Sequence, residues 1–289
     1  MLGKLIKHEW KGTYRVGCLM MLLMAGITFF GWLAFQSPMW KELSGDAEGY
    51  SATMGGGILN ILSIFTLLLY FIMLIVVLVG IVIYLAVHFY RTVYTDEGYL
   101  THTLPVTKHQ LLCSKILVGG LWVMIIYAMV YLSVFLLGVS LIGTILPDGY
   151  TFSLFWDEFG DLIVEFGVEL ERQFGLDFVV YKVFILLSGL IGPFIAMATV
   201  YGAISMGQLF TRHRVLMAVV SYIGIAILNG ILGSAVQSVA GTDTVLQSSA
   251  DLGSYFNMSL ISSFGLNLII AVALYMVSWL VMTKKLNME

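Results

Sequence analysis

Charged residues are scarce in this chain, and their scarcity argues against a water-soluble protein. Only 11% of the 289 residues are Asp, Glu, Lys or Arg, whereas 60% are hydrophobic. A soluble domain carries about a quarter of its residues as charged side chains, because its surface faces water. We therefore expect lipid to surround much of this protein.

Missing motifs exclude several classes of function. The sequence contains no G-x-x-x-x-G-K-[ST] phosphate-binding loop, so we expect no ATP site of that kind on this chain. The cores of the apolar runs hold no charged residue except Lys182, whereas self-powered secondary transporters usually need such residues. Neither a channel filter nor the clustered polar residues of a membrane enzyme is visible. We predict a protein that is not an enzyme and that depends on an external motor.

Cysteine is also rare, with only Cys18 and Cys113. Both lie on or near the predicted inner side of the membrane, where the cytosol keeps thiols reduced. Their spacing from other Cys and His residues does not match a zinc site. We expect no disulfide, no metal site and no cofactor on this chain.

Long apolar runs are abundant. Six of them exceed the roughly 20 residues that an α-helix needs to cross about 30 Å of hydrocarbon. The predicted spans are 16–36, 63–89, 116–142, 181–209, 215–238 and 258–282. These runs predict an all-α fold, a polytopic membrane protein that forms one transmembrane domain over residues 1–289.

The basic residues predict the orientation of these spans. Most of the 14 Lys and Arg residues precede the first run, lie in segment 90–115, separate the fourth run from the fifth, or follow the sixth. Loops rich in Lys and Arg remain on the cytoplasmic side. Both termini are therefore predicted to be cytoplasmic. His88, at the inner boundary of the second run, is interpreted as a satisfied interfacial residue rather than a proton relay.

The N-terminal segment 1–15 is basic and amphipathic. Leu2, Ile6 and Trp10 recur every four residues, and lysines occupy the other face. This pattern predicts a helix that lies in the membrane interface, with its lysines near the anionic headgroups of membrane lipids. The alternative is a basic flank that only sets the topology.

The outer segment 143–180 contains a second amphipathic pattern. Trp156, Phe159, Ile163, Phe166, Leu170 and Phe174 recur at helical spacing, opposite an acidic face that includes Asp157, Glu158, Asp161, Glu165 and Glu169. We predict an extracellular helix whose aromatic face packs on its own bundle and leaves the acids in water. In the alternative, Asp157, Asp161, Glu165 and Glu169 line an outer gate and attract cationic cargo.

The inner segment 90–115 combines charge with aromatic and aliphatic residues. Pro105 disfavours helical geometry at Leu104, and Thr107 with Gln110 forms a capping box that predicts a new helix from about Lys108. Residues 95–104 are predicted to form a short crosswise helix. We favour a docking site for a partner protein over a plain connection between spans.

Three short runs in this segment resemble a known family. DEGYL at 96–100, LPVT at 104–107 and SK at 114–115 resemble the ABC-2 type permeases of Gram-positive bacteria. In that family the first cytoplasmic loop carries a coupling helix that docks on a separate ATPase subunit. The resemblance implies that the docking residues here are Tyr94, Asp96, Glu97, Tyr99, Leu100, Leu104 and Lys108.

The resemblance also implies a function. The chain would be the permease subunit of an ATP-driven exporter in the bacterial plasma membrane, similar to permeases that export phenol-soluble modulins and antimicrobial peptides. It would pair with a second copy, or with a paralogue as a heterodimer, and with two ATPase subunits that hold ATP and Mg. We expect no nucleic-acid partner. The competing hypothesis is a non-transport membrane sensor or assembly scaffold whose inner loop binds another cytosolic partner.

Overall fold

The chain is all-α in the ranges that the computed structural model describes, which are 2–37, 40, 54–95, 98, 106–145, 152–174, 178–210, 212–239 and 249–284. Within these ranges it forms seven helices. They are α1 (Leu2–Phe35), α2 (Met54–Tyr94), α3 (Lys108–Ile145), α4 (Phe152–Phe174), α5 (Phe178–Gly207), α6 (Arg214–Val239) and α7 (Ser249–Lys284).

Six of these helices are long and apolar enough to cross a membrane, namely all except α4. The predicted all-α class and the six long apolar helices are therefore confirmed, and they indicate a multi-pass membrane protein. The helices extend past the predicted spans. The spans were bounded by apolar residues, whereas a helix can continue through polar ones. At the end of α2, for example, Thr92 donates a hydrogen bond to the carbonyl oxygen of His88.

The predicted interfacial helix 1–15 is not separate from the first span. α1 runs without a break from Leu2 to Phe35. Contacts with α3 hold it across the expected boundary: Trp122 Nε1 donates a hydrogen bond to Thr13 Oγ1 over 2.9 Å. Gly17 has no side chain, and a Cβ there would overlap the Trp122 ring. A distinct helix lying in the membrane interface is not confirmed.

Residue contacts divide the chain into two compact units, neither of which is continuous in sequence. The first comprises 1–10, 85–121 and 160–289, and the second comprises 11–84 and 122–159. In the second unit, the buried core includes Met24, Val77, Ile81 and Ile126. This core brings α1, α2 and α3 together.

In the first unit, α5, α6 and α7 pack against one another. Asn229 on α6 donates a hydrogen bond to Asn267 on α7 over 2.8 Å, a polar contact between two apolar helices. α5 and α6 are joined by a short turn, in which His213 adopts a φ of 56°. Gly207 at the end of α5 lies directly against the backbone of Ala218, so the turn can be tight.

Gly207→Ala is expected to destabilise the protein. The new Cβ would lie 2.6 Å from the backbone nitrogen of Ala218, and the backbone cannot move aside as a flexible side chain would. Overpacking of this kind typically costs about 1–3 kcal/mol. Thermal unfolding of purified protein should therefore show a lower midpoint. Gly230→Ala on α6 is the matched control, because no atom lies within 4 Å of its new Cβ; equal midpoints for the two variants would contradict the prediction.

Candidate functional site

The candidate site lies in the first unit, where α2 ends at Tyr94 and α3 begins at Lys108. Between them the structure describes only Thr95, Gly98, Val106 and Thr107. Five of the predicted docking residues, Asp96, Glu97, Tyr99, Leu100 and Leu104, lie outside the described residues. The crosswise helix over 95–104 and the docking role of these residues stay predictions.

The predicted start of α3 at Lys108 is confirmed, with Thr107 as its N-cap residue. Thr107 Oγ1 accepts a hydrogen bond from the backbone nitrogen of Gln110 over 3.3 Å. The backbone oxygen of Thr107 accepts a further bond from the nitrogen of Leu111. The first bond satisfies an amide group that the first turn of a helix would otherwise leave without a partner, and the second is the first regular bond of the helix. They fix the start of α3 at Lys108, a half-buried residue.

Tyr94 attaches the end of α2 to α5. Its hydroxyl donates a hydrogen bond to Ser205 Oγ over 2.7 Å, and Ser205 Oγ in turn donates to the carbonyl oxygen of Tyr201 over 2.8 Å. Tyr94 was predicted as a docking residue for a partner. The structure places its hydroxyl on a helix of its own chain, and its docking role stays a prediction.

Aromatic packing strengthens this attachment. The ring of Phe89 stacks on Tyr201 with centroids 4.0 Å apart and an interplanar angle of 12°, and its other neighbour is Tyr94 at 5.9 Å. Phe89 and Tyr201 are both buried. On α3, Gly119 leaves room for the Tyr201 hydroxyl, because a Cβ at that position would lie 2.7 Å from it. One contact cluster therefore joins α2, α3 and α5.

A buried charge cluster joins α1 to α2 and α3. The carboxylate of Glu9 on α1 accepts a hydrogen bond from Lys115 Nζ on α3 and lies 3.3 Å from His88 Nε2 on α2. Lys115 Nζ also donates to Thr92 Oγ1 over 2.8 Å. Lys115 is only 3% exposed. Because isolated buried charges are costly, Glu9 and Lys115 stabilise each other in this position.

The sequence did not reveal this charge cluster. It showed Glu9 as an acid on the inner side, His88 as a lone boundary residue and Lys115 as part of an SK pair. The interpretation of His88 as satisfied agrees with its contact to Glu9. One pattern could have pointed to the cluster: Glu9, His88 and Lys115 all lie at the predicted inner ends of apolar runs.

A third contact joins the first turn of α3 to α7. His109 Nδ1 lies 2.8 Å from the hydroxyl of Tyr275, within hydrogen-bond distance. The His109 ring also stacks on Trp279, with centroids 5.0 Å apart and an interplanar angle of 28°. The end of α2 and the start of α3, which both belong to segment 90–115, therefore contact α1, α5 and α7.

The predicted amphipathic helix is present as α4, and its apolar face is partly exposed among the residues whose side chains the structure describes. Asp157, Asp161, Glu165 and Glu169 are exposed, as expected. Of the apolar face, Trp156 contacts Phe135 with ring centroids 5.8 Å apart, whereas Ile163 is 41% and Phe166 is 60% exposed. Helical spacing shows which residues share a face, but not whether another helix reaches that face. An extracellular position and a role as a gate lining stay predictions.

Both cysteines have free thiols; Cys18 is exposed and Cys113 is half-buried. Within the described ranges, no group of three or more His, Cys, Asp or Glu side chains could hold a metal ion.

Comparison of the chain with protein-family models, curated proteins and solved structures finds no match. Any function must therefore be argued from the residues of this chain.

Proposed function

We propose that this protein is the membrane-spanning permease subunit of an ATP-driven exporter. In this proposal, segment 90–115 docks on a separate cytosolic ATPase and transmits its movement to the helices. The observation that carries the proposal is the attachment of both flanking helices: α2 to α5 through Tyr94, and α3 to α1 through Lys115. A displacement of the segment would move several helices together as one packed body.

The distribution of charge supports an external energy source. Proton- or ion-driven transporters place ionisable residues along a path through the membrane. Here Glu9 and Lys115 neutralise each other near the first residues of α1 and α3, at the ends predicted to be on the inner side. Together with the missing phosphate-binding loop, this pairing favours a permease whose ATP and Mg are held by a partner chain.

The proposed assembly contains two copies of this chain and two ATPase subunits in the bacterial plasma membrane. Six helices leave little room for a path that admits a peptide, whereas twelve can enclose one. The proposed cargo is an amphipathic or antimicrobial peptide. The 16 Met and 39 aromatic residues would suit an adaptable apolar path. Purification of a complex with one permease for two ATPases would contradict the homodimer.

The function is tested first by looking for an ATPase gene beside the gene of this protein. The encoded ATPase is then co-purified with the chain, and both are reconstituted in vesicles. We expect ATP-dependent movement of a fluorescent amphipathic peptide and faster ATP hydrolysis in its presence. A catalytically inactive ATPase is the matched control. Failure of the two proteins to associate would contradict the proposal and favour the sensor or scaffold. The exposed apolar residues of α4, such as Phe166, are the observation that favours this second candidate.

Neutralising the acidic face of α4 is expected to change cargo preference while leaving assembly intact. Asp157→Asn, Asp161→Asn, Glu165→Gln and Glu169→Gln remove exposed charges and keep the apolar face. Long-range attraction of a cationic peptide should then weaken and lose its salt dependence. The measurement is peptide-stimulated ATP hydrolysis at low and high salt, with cationic and anionic peptides of equal length. An unchanged charge preference would make α4 a cover rather than a gate lining.

A further inference from the structure

A groove lies in the second unit, between residues 24–32 of α1 and 129–140 of α3. Its volume is about 500 Å³, within the range of about 300–1,000 Å³ that is typical of small-molecule sites. Most of its lining is apolar, with the aromatic rings of Phe29 and Trp32 on one wall. The polar lining residues are Thr28, Ser133 and Ser140.

Thr28 and Ser133 belong to a chain of hydroxyl groups whose direction is fixed. Thr28 Oγ1 lies 2.6 Å from the carbonyl oxygen of Met24, which can only accept, so the Thr28 proton is donated there. Ser133 Oγ, 2.7 Å from Thr28 Oγ1, must then donate to Thr28. The hydroxyl of Tyr70, 2.9 Å from Ser133 Oγ, must donate to Ser133. All three hydroxyl protons are therefore committed within the protein.

This fixed direction determines what a ligand must supply. A hydroxyl oxygen has two acceptor lone pairs, and Thr28 and Ser133 each use one of them for the incoming proton. Their remaining capacity is acceptor-only, and both residues line the groove. A carboxylate or phosphate would be repelled there, because its oxygens would face the lone pairs of the two hydroxyls. An N–H or O–H group would form a hydrogen bond. The acyl chain of a lipid would bring no donor.

We propose that this groove binds a lipophilic primary amine, with its apolar chain along the groove and its ammonium group at Thr28 and Ser133. Phe29 and Trp32 add two aromatic rings to the lining of the same groove, and an aromatic ring attracts a positive charge within about 6 Å of its face. If this groove takes part in export, the amine group is the chemical feature of the cargo that it recognises. In that respect the inference rests on the proposed function. A lysine side chain of an amphipathic peptide supplies this chemistry.

Binding is measured directly on the purified chain in lipid nanodiscs. The probes are dodecylamine and dodecyltrimethylammonium, each with a bromine on the alkyl chain that quenches tryptophan fluorescence on contact. Trp32 lines the groove, so the part of the quenching that disappears in Trp32→Phe measures binding in the groove. We expect saturable quenching by the amine. The trimethylammonium probe has the same charge but no N–H, and should bind about tenfold more weakly.

Three variants test the placement of the amine. Thr28→Val keeps the shape but removes the hydroxyl, and should weaken amine binding about tenfold without affecting the trimethylammonium probe. Ser140→Ala is the matched control, because Ser140 lines the groove without belonging to the hydroxyl chain; its amine affinity should stay unchanged. Ala25→Leu fills the groove and should weaken both probes, and it serves as the test if Thr28→Val does not fold.

Equal affinity for the two probes would overturn the inference, as would unchanged amine binding in Thr28→Val or Ala25→Leu. The site and the proposed function fail separately. Amine binding without ATP-dependent transport in reconstituted vesicles would support the site and contradict the exporter. ATP-dependent peptide export without amine binding would overturn the groove proposal and leave the exporter standing.

Discussion

Lys115→Ala is expected to destabilise the protein more than Gly207→Ala does. It removes the ammonium that donates to both Glu9 and Thr92, and it leaves the Glu9 carboxylate buried without this cation. Removal of one partner from a buried ion pair typically costs about 3–5 kcal/mol. We expect a large loss of folded protein in detergent extracts and a lower midpoint of thermal unfolding.

A double variant separates the charge from the packing. Glu9→Gln combined with Lys115→Met removes both charges at similar volume, and neutral replacement of a buried pair is often tolerated. Most of the lost stability should therefore return. Lys11→Ala, at an exposed position of α1, is the control for loss of a positive charge. If the double variant is no more stable than Lys115→Ala, the ion pair is not the reason for the loss.

Under the proposed function, Tyr99→Ala combined with Leu104→Ala is expected to release the proposed ATPase partner from this chain. These residues supply aromatic and aliphatic anchors within the proposed docking segment 90–115. Truncation of one buried interface anchor costs on the order of 2 kcal/mol, or roughly 30-fold in affinity. The measurements are the amount of ATPase that co-purifies with the permease and the rate of ATP-dependent peptide transport.

The short turn between α5 and α6 provides a matched control for this pair. Leu209 and Phe210 are exposed there and offer the same two types of side chain. Leu209→Ala combined with Phe210→Ala should leave ATPase binding unchanged. Normal binding and transport in the Tyr99 and Leu104 double variant would rule out segment 90–115 as the coupling element. Loss of binding in the control pair instead would move the interface to the α5–α6 turn.

Sequence patterns predicted the helices well, because the patterns are local. A charge-free run longer than a bilayer and a Thr107–Gln110 capping box each report on neighbouring residues. The charge cluster is not local, since Glu9 lies 79 residues from His88 and 106 from Lys115. No spacing rule connects positions that far apart in a single sequence.

Hydropathy could not predict which face of a membrane helix packs against protein. In α2, Leu85 is 1% exposed and Ile83 is 57% exposed, although the two side chains have the same composition. Lipid tails are as apolar as leucine, so a lipid-facing position and a buried position accept the same residues. For the same reason, the groove beside Thr28 and Ser133 left no pattern in the sequence. Only its hydroxyl groups distinguish it from the surrounding spans.

The length of α2 makes this protein sensitive to the thickness of the bilayer. Its candidate span runs from Gly57 to Tyr94 and carries no charged residue before Arg91, which corresponds to roughly 50 Å of uncharged helix. A hydrocarbon layer of about 30 Å covers such a rod only if the rod is strongly inclined or the layer thickens around it. Near its first turns, Ile58 and Ile61 are exposed. Longer acyl chains would cover these residues, so hydrophobic mismatch couples the tilt of α2 to the lipid composition of the membrane.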